Sequence, residues 1–494
     1  MKNNFVLVLS MTILCYMPCY AQWEAFLVRN GIKINASTDN YTLLNNFDGP
    51  LSQTQQLLYL IADSILKNDY YGSYVSLSEN EVFRTFCKIH TIEVLGGPML
   101  TNARSNGVDV WIRTAMPSKV TVRVFGNNID RYYGPAYSTD TSDLSAVVAI
   151  NGLSPNSAYR YEVYINDNKF TMAQSPVLRT LPEANEETRI AFGSCLHRWG
   201  MGFEQQSHVL TDRKPHALLL MGDIAVQDRN NHIGQHTLDY FMRDMFPAWK
   251  NIAANIPVYA TWDDHDYFDD DKYGIPPGYT QEDKTNVWKV FRYAWNNPSY
   301  GTNKTGEALY FRTRIGSCDV LMLDNRSLRS QGSLLGKEQM QWLKSQLLDC
   351  RGPFIILSCG TMWSDYVSNG KDSWGVFDSA GREDLFRFIE RNNIAGVLLI
   401  SGDRHGARGF RIPRPSGFSF YEFGAASMGA LFGPPVTKPE WTTQLYGVSA
   451  VAAFGEFTFT ADTEDPLVTF RLVNDENVIL YELTLYRSEL SPRK

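Results

Sequence analysis

Tyr259-Ala260-Thr261-Trp262-Asp263-Asp264-His265-Asp266-Tyr267-Phe268-Asp269-Asp270-Asp271 is the stretch that decides the fold. The apolar run that enters it, Ile256 to Thr261, reads as a short buried strand. It stops at two carboxylates, a histidine and a third carboxylate. In open α/β sheets ligands sit beyond the carboxyl ends of strands, so this ending offers chemistry rather than packing. Asp-Asp-His-Asp supplies hard oxygen donors for a cation, beside one group that carries a proton near neutral pH. For Asp269 to Asp271 alone a solvated acidic loop is the simpler reading. For Asp263 to Asp266 a metal-binding or catalytic role is expected, because the rest of the chain repeats the design.

Outward from this stretch, apolar runs again end in polar clusters. Arg189 to Phe192 runs into Gly193-Ser194-Cys195, and Ala217 to Met221 into Gly222-Asp223. Val320 to Leu323 runs into Asp324-Asn325-Arg326, Phe354 to Leu357 into Ser358-Cys359, and Gly396 to Ile400 into Ser401-Gly402-Asp403-Arg404-His405. Near-continuous apolar strands are buried on both faces, which calls for helices on each side. Lys337 to Leu348 and Glu383 to Arg391 are amphipathic candidates. The tail, with Gly455 to Thr460, Val468 to Val473 and Ile479 to Tyr486, alternates and is expected to complete or flank the second sheet. Any single polar strand end could be structural. Their repetition would bring Cys195, Asp223, Asp263, Asp264, His265, Asp266, Asp403 and His405 to one edge.

Upstream the character differs. Val108 to Thr114, Lys119 to Phe125, Ser145 to Ile150 and Arg160 to Ile165 are short strands separated by turn residues, which predicts a small β-sandwich over 96–181. Leu153 to Val163 resembles the tyrosine-corner strand of fibronectin type III domains. Leu181 to Glu187 reads as a polar linker, and residues 22–95 as a helical accessory region, with helices over Leu51 to Leu66 and Glu79 to Ile89 and no chemistry. Lys2, the apolar run Phe5 to Met17 and Cys19-Tyr20-Ala21 have the layout of a signal peptide over 1–21, predicting export to the periplasm or exterior, with lipid anchoring open. No later run reaches the length of a spanning helix. With Cys15 and Cys19 removed, Cys87, Cys195, Cys318, Cys350 and Cys359 remain, an odd set allowing one bridge but leaving Cys195 free. A net charge of −7 argues against a nucleic-acid-binding surface and leaves small anionic substrates open.

The motif series Phe192-Gly193-Ser194-Cys195, Met221-Gly222-Asp223, Thr261-Trp262-Asp263-Asp264-His265-Asp266, Leu323-Asp324-Asn325-Arg326 and Ser401-Gly402-Asp403-Arg404-His405 resembles that of PhoD-like metallophosphatases, the alkaline phosphatase D branch of the calcineurin-like phosphoesterases. The resemblance spans roughly Gly96 to the C-terminus and implies an αββα catalytic domain over 188–490, a two-sheet sandwich flanked by helices, behind a fibronectin type III-like domain. It implies a metal-dependent phosphomonoesterase or phosphodiesterase acting on a small-molecule, lipid or polymer phosphate ester. By position, Asp223 looks like the bridging carboxylate, Asp264, Asp403, His405 and Cys195 like metal ligands, and His265 like the general acid. Asp263 and Arg326 join His265 as catalytic candidates. Arg326 and Arg329 either clamp phosphate oxygens or pair with the carboxylates.

Two departures matter. The family's tyrosine ligand, three residues after the Gly-Asp aspartate, is Val226 here, so Asp228 or water must fill the gap, or one metal site is weaker or of a different kind. Ser358-Cys359-Gly360-Thr361 lacks a histidine found in the wider superfamily. Many carboxylates and few histidines favour two or more ions, Ca2+ and Fe3+ before Mn2+ or Zn2+, with a Cys195 thiolate drawing iron or zinc. As a small buried hydrophobe, Cys195 also fits the core. The alternative to an enzyme is a decayed metallophosphatase acting as a cell-surface binding protein, favoured by Val226 and opposed by the retained acidic and histidine positions.

Overall fold

Strand Val258–Thr261 is buried throughout and pairs in parallel with Ala217–Met221, which pairs in parallel with Thr188–Gly193. The computed structural model describes residues 27–29, 32–34, 38–47, 49, 51–172, 175–365, 373–429, 433 and 442–492. The expected signal peptide, with Cys15 and Cys19, lies outside the described residues. Among the described residues no helix is long and apolar enough to cross a membrane.

Two sheets form the catalytic half. The first has the order Val258–Thr261, Ala217–Met221, Thr188–Gly193, Ala453–Thr460, Leu467–Asn474, Ile479–Tyr486. The second runs Phe311–Ile315, Cys318–Met322, Phe354–Cys359, Val397–Ser401, Ser419–Gly424, Ala407–Pro413, Gln444–Val448. The tail strands therefore belong to the first sheet, not the second: Ala453–Thr460 lies antiparallel to Thr188–Gly193, with Ile190 opposite Phe457. The strands that extend the second sheet come instead from residues 407–448.

The period of two along each strand builds the layers. Ala217, Leu219 and Met221 join Val320, Met322, Ile356, Leu398 and Ile400 in one apolar core between the sheets. Leu218 and Leu220 face the other way, toward helices carrying Phe241 and Trp249. On the far side, Leu321, Leu357 and Leu399 pack against Leu343, Leu385 and Phe386, contributed by helices Gly336–Asp349 and Ser379–Arg391. The order is helices, sheet, sheet, helices. Fully burying each of these leucines stabilises the fold by about 1.5–3 kcal/mol.

The N-terminal helices pack on the domain that follows them. Helix Gln53–Leu66 opens on a reciprocal cap between Ser52 and Gln55. Its Leu58, Tyr59 and Leu66, with Leu43 and Phe47, share the apolar cluster of Leu218, Leu220 and Trp262 and cover the first sheet's outer face. Ahead of the catalytic half stand a three-stranded sheet (Val94–Arg104, Gly107–Thr114, Ser145–Asn151) and a five-stranded one built on Ala158–Ile165, Ser118–Gly126 and Ile129–Ser138. Their alternate residues Val108, Val110, Val122, Val124, Val148 and Val163 lie in one core. The expected linker begins packed, with Leu181 buried and its N–H donating to the Arg104 carbonyl, and continues exposed at Glu183 to Asn185 and Glu187. No disulfide joins any two of Cys87, Cys195, Cys318, Cys350 and Cys359, so the one bridge the count allowed is absent among them.

Candidate metal centre

Three strand ends of the first sheet and two of the second meet here. Thr188–Gly193 delivers Cys195 and His197, both buried. Ala217–Met221 delivers Asp223, and Val258–Thr261 delivers Asp263 followed by the short helix Asp264–Tyr267. From the second sheet, Cys318–Met322 leads to Asn325 and Arg326, and Val397–Ser401 leads to Asp403 and His405. The two edges are stitched together by the Met428 N–H donating to the Ser194 carbonyl (3.2 Å) and the Ser427 hydroxyl donating to the Cys195 carbonyl (2.8 Å).

The backbone at these ends is unusual. Cys195, His197, Asp223, Asp403 and His405 all have φ between +47° and +70°. Left-handed backbone is sparsely populated for residues with side chains, and it clusters where surrounding structure holds functional groups. Gly222 has φ +92°, and a Cβ there would fall 2.4 Å from the Asp263 backbone nitrogen, so only glycine admits this crossing. Gly193 and Gly402 serve close approach, against Met428 and Ser194.

Asp266 ties the first-sheet loops together. Its carboxylate accepts from the backbone N–H groups of Asp223, Ile224 (3.1 Å) and Asp263 (3.3 Å). Arg326, fully buried, donates from Nε to Asp263 Oδ1 and places Nη2 3.4 Å from Asp264 Oδ1. Asn325 Nδ2 donates to the same Asp263 oxygen at 2.9 Å. Arg329 lies instead over the rings of Phe377 (3.8 Å) and Tyr273 (4.7 Å).

Two donor sets result. Cys195, His197 and His405 offer ligand atoms within 4.8 Å of one another, and so do Asp223, Asp264 and His265. Asp223 joins them, with Oδ2 3.6 Å from Cys195 Sγ and 3.9 Å from His197 Nε2. Asp403 lies near enough for its charge to raise the Cys195 thiol and the Asp263 carboxyl further, and it pairs with Arg404 at 3.0 Å. A third acidic group joins buried Asp264 to exposed Asp270 and half-buried Asp271, whose N–H donates to Asp264 Oδ2 at 2.7 Å.

Burial, followed by neighbouring negative charge, pushes Asp223 and Cys195 well above their ordinary ranges; burial chiefly holds Asp263 at about 7 and Asp266 at about 6. Burial also raises Asp264, but Arg326 and His265 outweigh it and the net shift is downward. At His265 burial opposes the charge, yet Asp264, Asp223 and Asp228 overcome it and the imidazole is held well above 6.5. Asp223 Oδ1 is buried without a hydrogen-bond partner. Crowded, desolvated carboxylates with an orphaned oxygen fit a bound cation, which would supply the missing partner and favour their ionised forms.

Sequence reasoning missed three features. His197 sits two residues past Cys195, and Cys-x-His was its signal. Asp228, a candidate to fill the Val226 gap, instead accepts from His265 Nδ1 at 2.6 Å. Val226 itself is buried in the apolar cluster, as are Trp262, Trp363 and Trp374. The third is Arg198, which reaches out of the site to the Thr38 carbonyl (2.7 Å) and Asn40 Oδ1 (2.6 Å), anchoring the Cys195–His197 loop on the N-terminal segment.

A four-layer αββα scaffold with sulfur, nitrogen and carboxylate donors converging at the sheet edges is the architecture of a metal-dependent phosphoesterase. The sequence model of the PhoD-like phosphatase family matches residues 191–470, more than half of the chain. The chain belongs to that family and is a metal-dependent phosphatase. Residues 91–180 match a domain of unknown function, DUF7800. A solved structure of PhoD superposes with a TM-score of 0.67 at 18% identity, over 81% of this chain and 91% of that one. Purple acid phosphatase PPD1 from yellow lupin (Lupinus luteus) seeds superposes with a TM-score of 0.58 at 12% identity, over 80% and 75%. At these identities the likeness is one of fold. No curated protein matches the chain in sequence.

Proposed function

We propose that the protein is exported and hydrolyses phosphate monoesters or diesters, with Cys195, Asp223, Asp264, Asp403 and His405 holding the ions and His265 giving a proton to the leaving oxygen. The observation that carries this is Asp223, set between a sulfur–imidazole donor set and a carboxylate set. The sulfur–imidazole side suits Fe3+ (or Zn2+) and the carboxylate side Ca2+ (or Mn2+). A bound pair of cations would withdraw charge from the phosphoryl oxygens and make water nucleophilic near neutral pH.

The chain's own residues set the rest. Asp228 accepts from His265 Nδ1, which leaves Nε2 to donate to an alkoxide or phenolate leaving group. Arg326 and Asn325 fix Asp263, and Asp266 fixes the Asp223 loop, so the carboxylates keep their places without substrate. His265, Asp403, Arg404 and His405 are half-buried and form the accessible side of the site. We read residues 96–181 as a fibronectin type III-like sandwich; the Tyr159 hydroxyl, which accepts from the Ser154 N–H five residues upstream, supports this.

Native protein collected from outside the cytoplasm, beginning at Gln22, is expected to release p-nitrophenolate from p-nitrophenyl phosphate or bis-p-nitrophenyl phosphate. Exhaustive chelation should remove the activity and added metal restore it. Turnover that survives chelation would rule this function out.

A further inference from the structure

We infer that His197 is a metal ligand, completing with Cys195, His405 and Asp223 a sulfur, two-imidazole and carboxylate pocket for one transition-metal ion. This rests on the metal-centred reading above and adds to it a donor from outside the expected motif set.

His197 is 1% exposed, and although the Gln227 side chain lies near enough to bear on the ring, neither nitrogen makes a well-formed hydrogen bond. A neutral imidazole always presents one N–H and one lone pair, and leaving both unmet in a dry site is costly. The ring is held by two others: it stacks on Trp199 (4.8 Å between centroids, 12° between planes) and on His405 (5.3 Å, 24°). In that plane Nε2 lies 3.9 Å from Asp223 Oδ2, while Cys195 Sγ lies 3.6 Å from the same oxygen. Ligand atoms about 2.0–2.3 Å from one ion stand about 3–4 Å from each other, so these spacings are those of a shared ion.

The surroundings leave this donor necessary. Val226 is an aliphatic side chain in the apolar cluster and has no donor atom. Asp228 is committed to His265. Without His197, the sulfur side of Asp223 would offer one imidazole, His405, beside the Cys195 thiol and the shared carboxylate. The alternative, a histidine that merely fills an aromatic stack, accounts for Trp199 but not for Nε2 set 3.9 Å from Asp223 Oδ2 in one cluster with the Cys195 thiol and His405.

X-ray absorption of the bound transition metal in the intact, metal-loaded protein tests this, together with elemental analysis of His197→Phe and His197→Cys. The wild-type spectrum should show one sulfur and two imidazoles. His197→Phe keeps the stacked ring but not the donor. Even outer partners of a metal site are worth about 10–100-fold in affinity, so this variant should lose the ion at least about tenfold. His197→Cys should retain it. A wild-type spectrum with one imidazole, or full occupancy in His197→Phe, overturns the inference while leaving the metal centre standing. A wild-type chain that takes up no ion overturns both. Should His197→Phe not fold, the wild-type imidazole count decides.

Discussion

His265→Ala is expected to lower kcat on phosphate esters by about 10²–10⁴-fold, the range for loss of a positioned general acid. The reason is geometric before it is electrostatic. The Asp228 carboxylate takes Nδ1–H at 2.6 Å, which fixes the ring and its tautomer. Burial opposes the imidazolium, but Asp264, Asp223 and Asp228 outweigh it and raise the imidazole pKa. Asp228→Asn removes one of those negative neighbours, lowers the imidazole pKa and should move the alkaline limb of the pH–rate profile to lower pH. The His265 side chain is 19% exposed, so thermal unfolding of His265→Ala should stay near wild type. A His265→Ala protein turning over at the wild-type rate would remove His265 from the chemistry.

Arg326→Met should cost about 3–5 kcal/mol of stability, measured by denaturant unfolding of the chelated protein. Arg326 and Asp263 are both wholly buried. The guanidinium also faces Asp264 Oδ1 at 3.4 Å, so one cation serves two adjacent carboxylates. Removing it leaves Asp263 and Asp264 facing each other out of water, with burial already holding Asp263 at about 7. Bound cations would compensate in part, so the deficit should shrink when the protein is loaded with metal. Arg326→Lys is no rescue, because an ammonium cannot reproduce the planar fork. A deficit within about 0.5 kcal/mol, the range of ordinary surface substitutions, would show that the pair carries no such role.

The parts of the fold that were legible are those dictated locally. Leu218-Leu219-Leu220 is apolar on every side, and such a run has no stable place except a strand covered on both faces. The site's acidic corners followed because each such strand stops at a charged or sulfur-bearing residue. Illegible were the features set by distant pairing. Ile479 to Tyr486 alternates as any half-buried strand does, and only the pairing of Ala453–Thr460 with Thr188–Gly193 assigns the tail to the first sheet. Ile129–Ser138 is mostly exposed and polar, so it carries no apolar period to read. Helix Gln53–Leu66 showed its stripe but not its partner. His197 escaped because left-handed turns at Cys195 and His197 redirect the chain after the strand has ended, and no periodicity reports such turns.

Elemental analysis of the unmodified protein beside Asp223→Asn bears most directly on the convergence of these loops around metal. Wild type should carry two ions per chain. Asp223→Asn, which keeps the side chain's shape while removing its charge, should lose both ions and the phosphatase activity together, with the fold intact by circular dichroism. A folded wild-type protein that holds no ion after incubation with Ca2+, Mn2+, Zn2+ and iron, or an Asp223→Asn variant with its full complement, would contradict it.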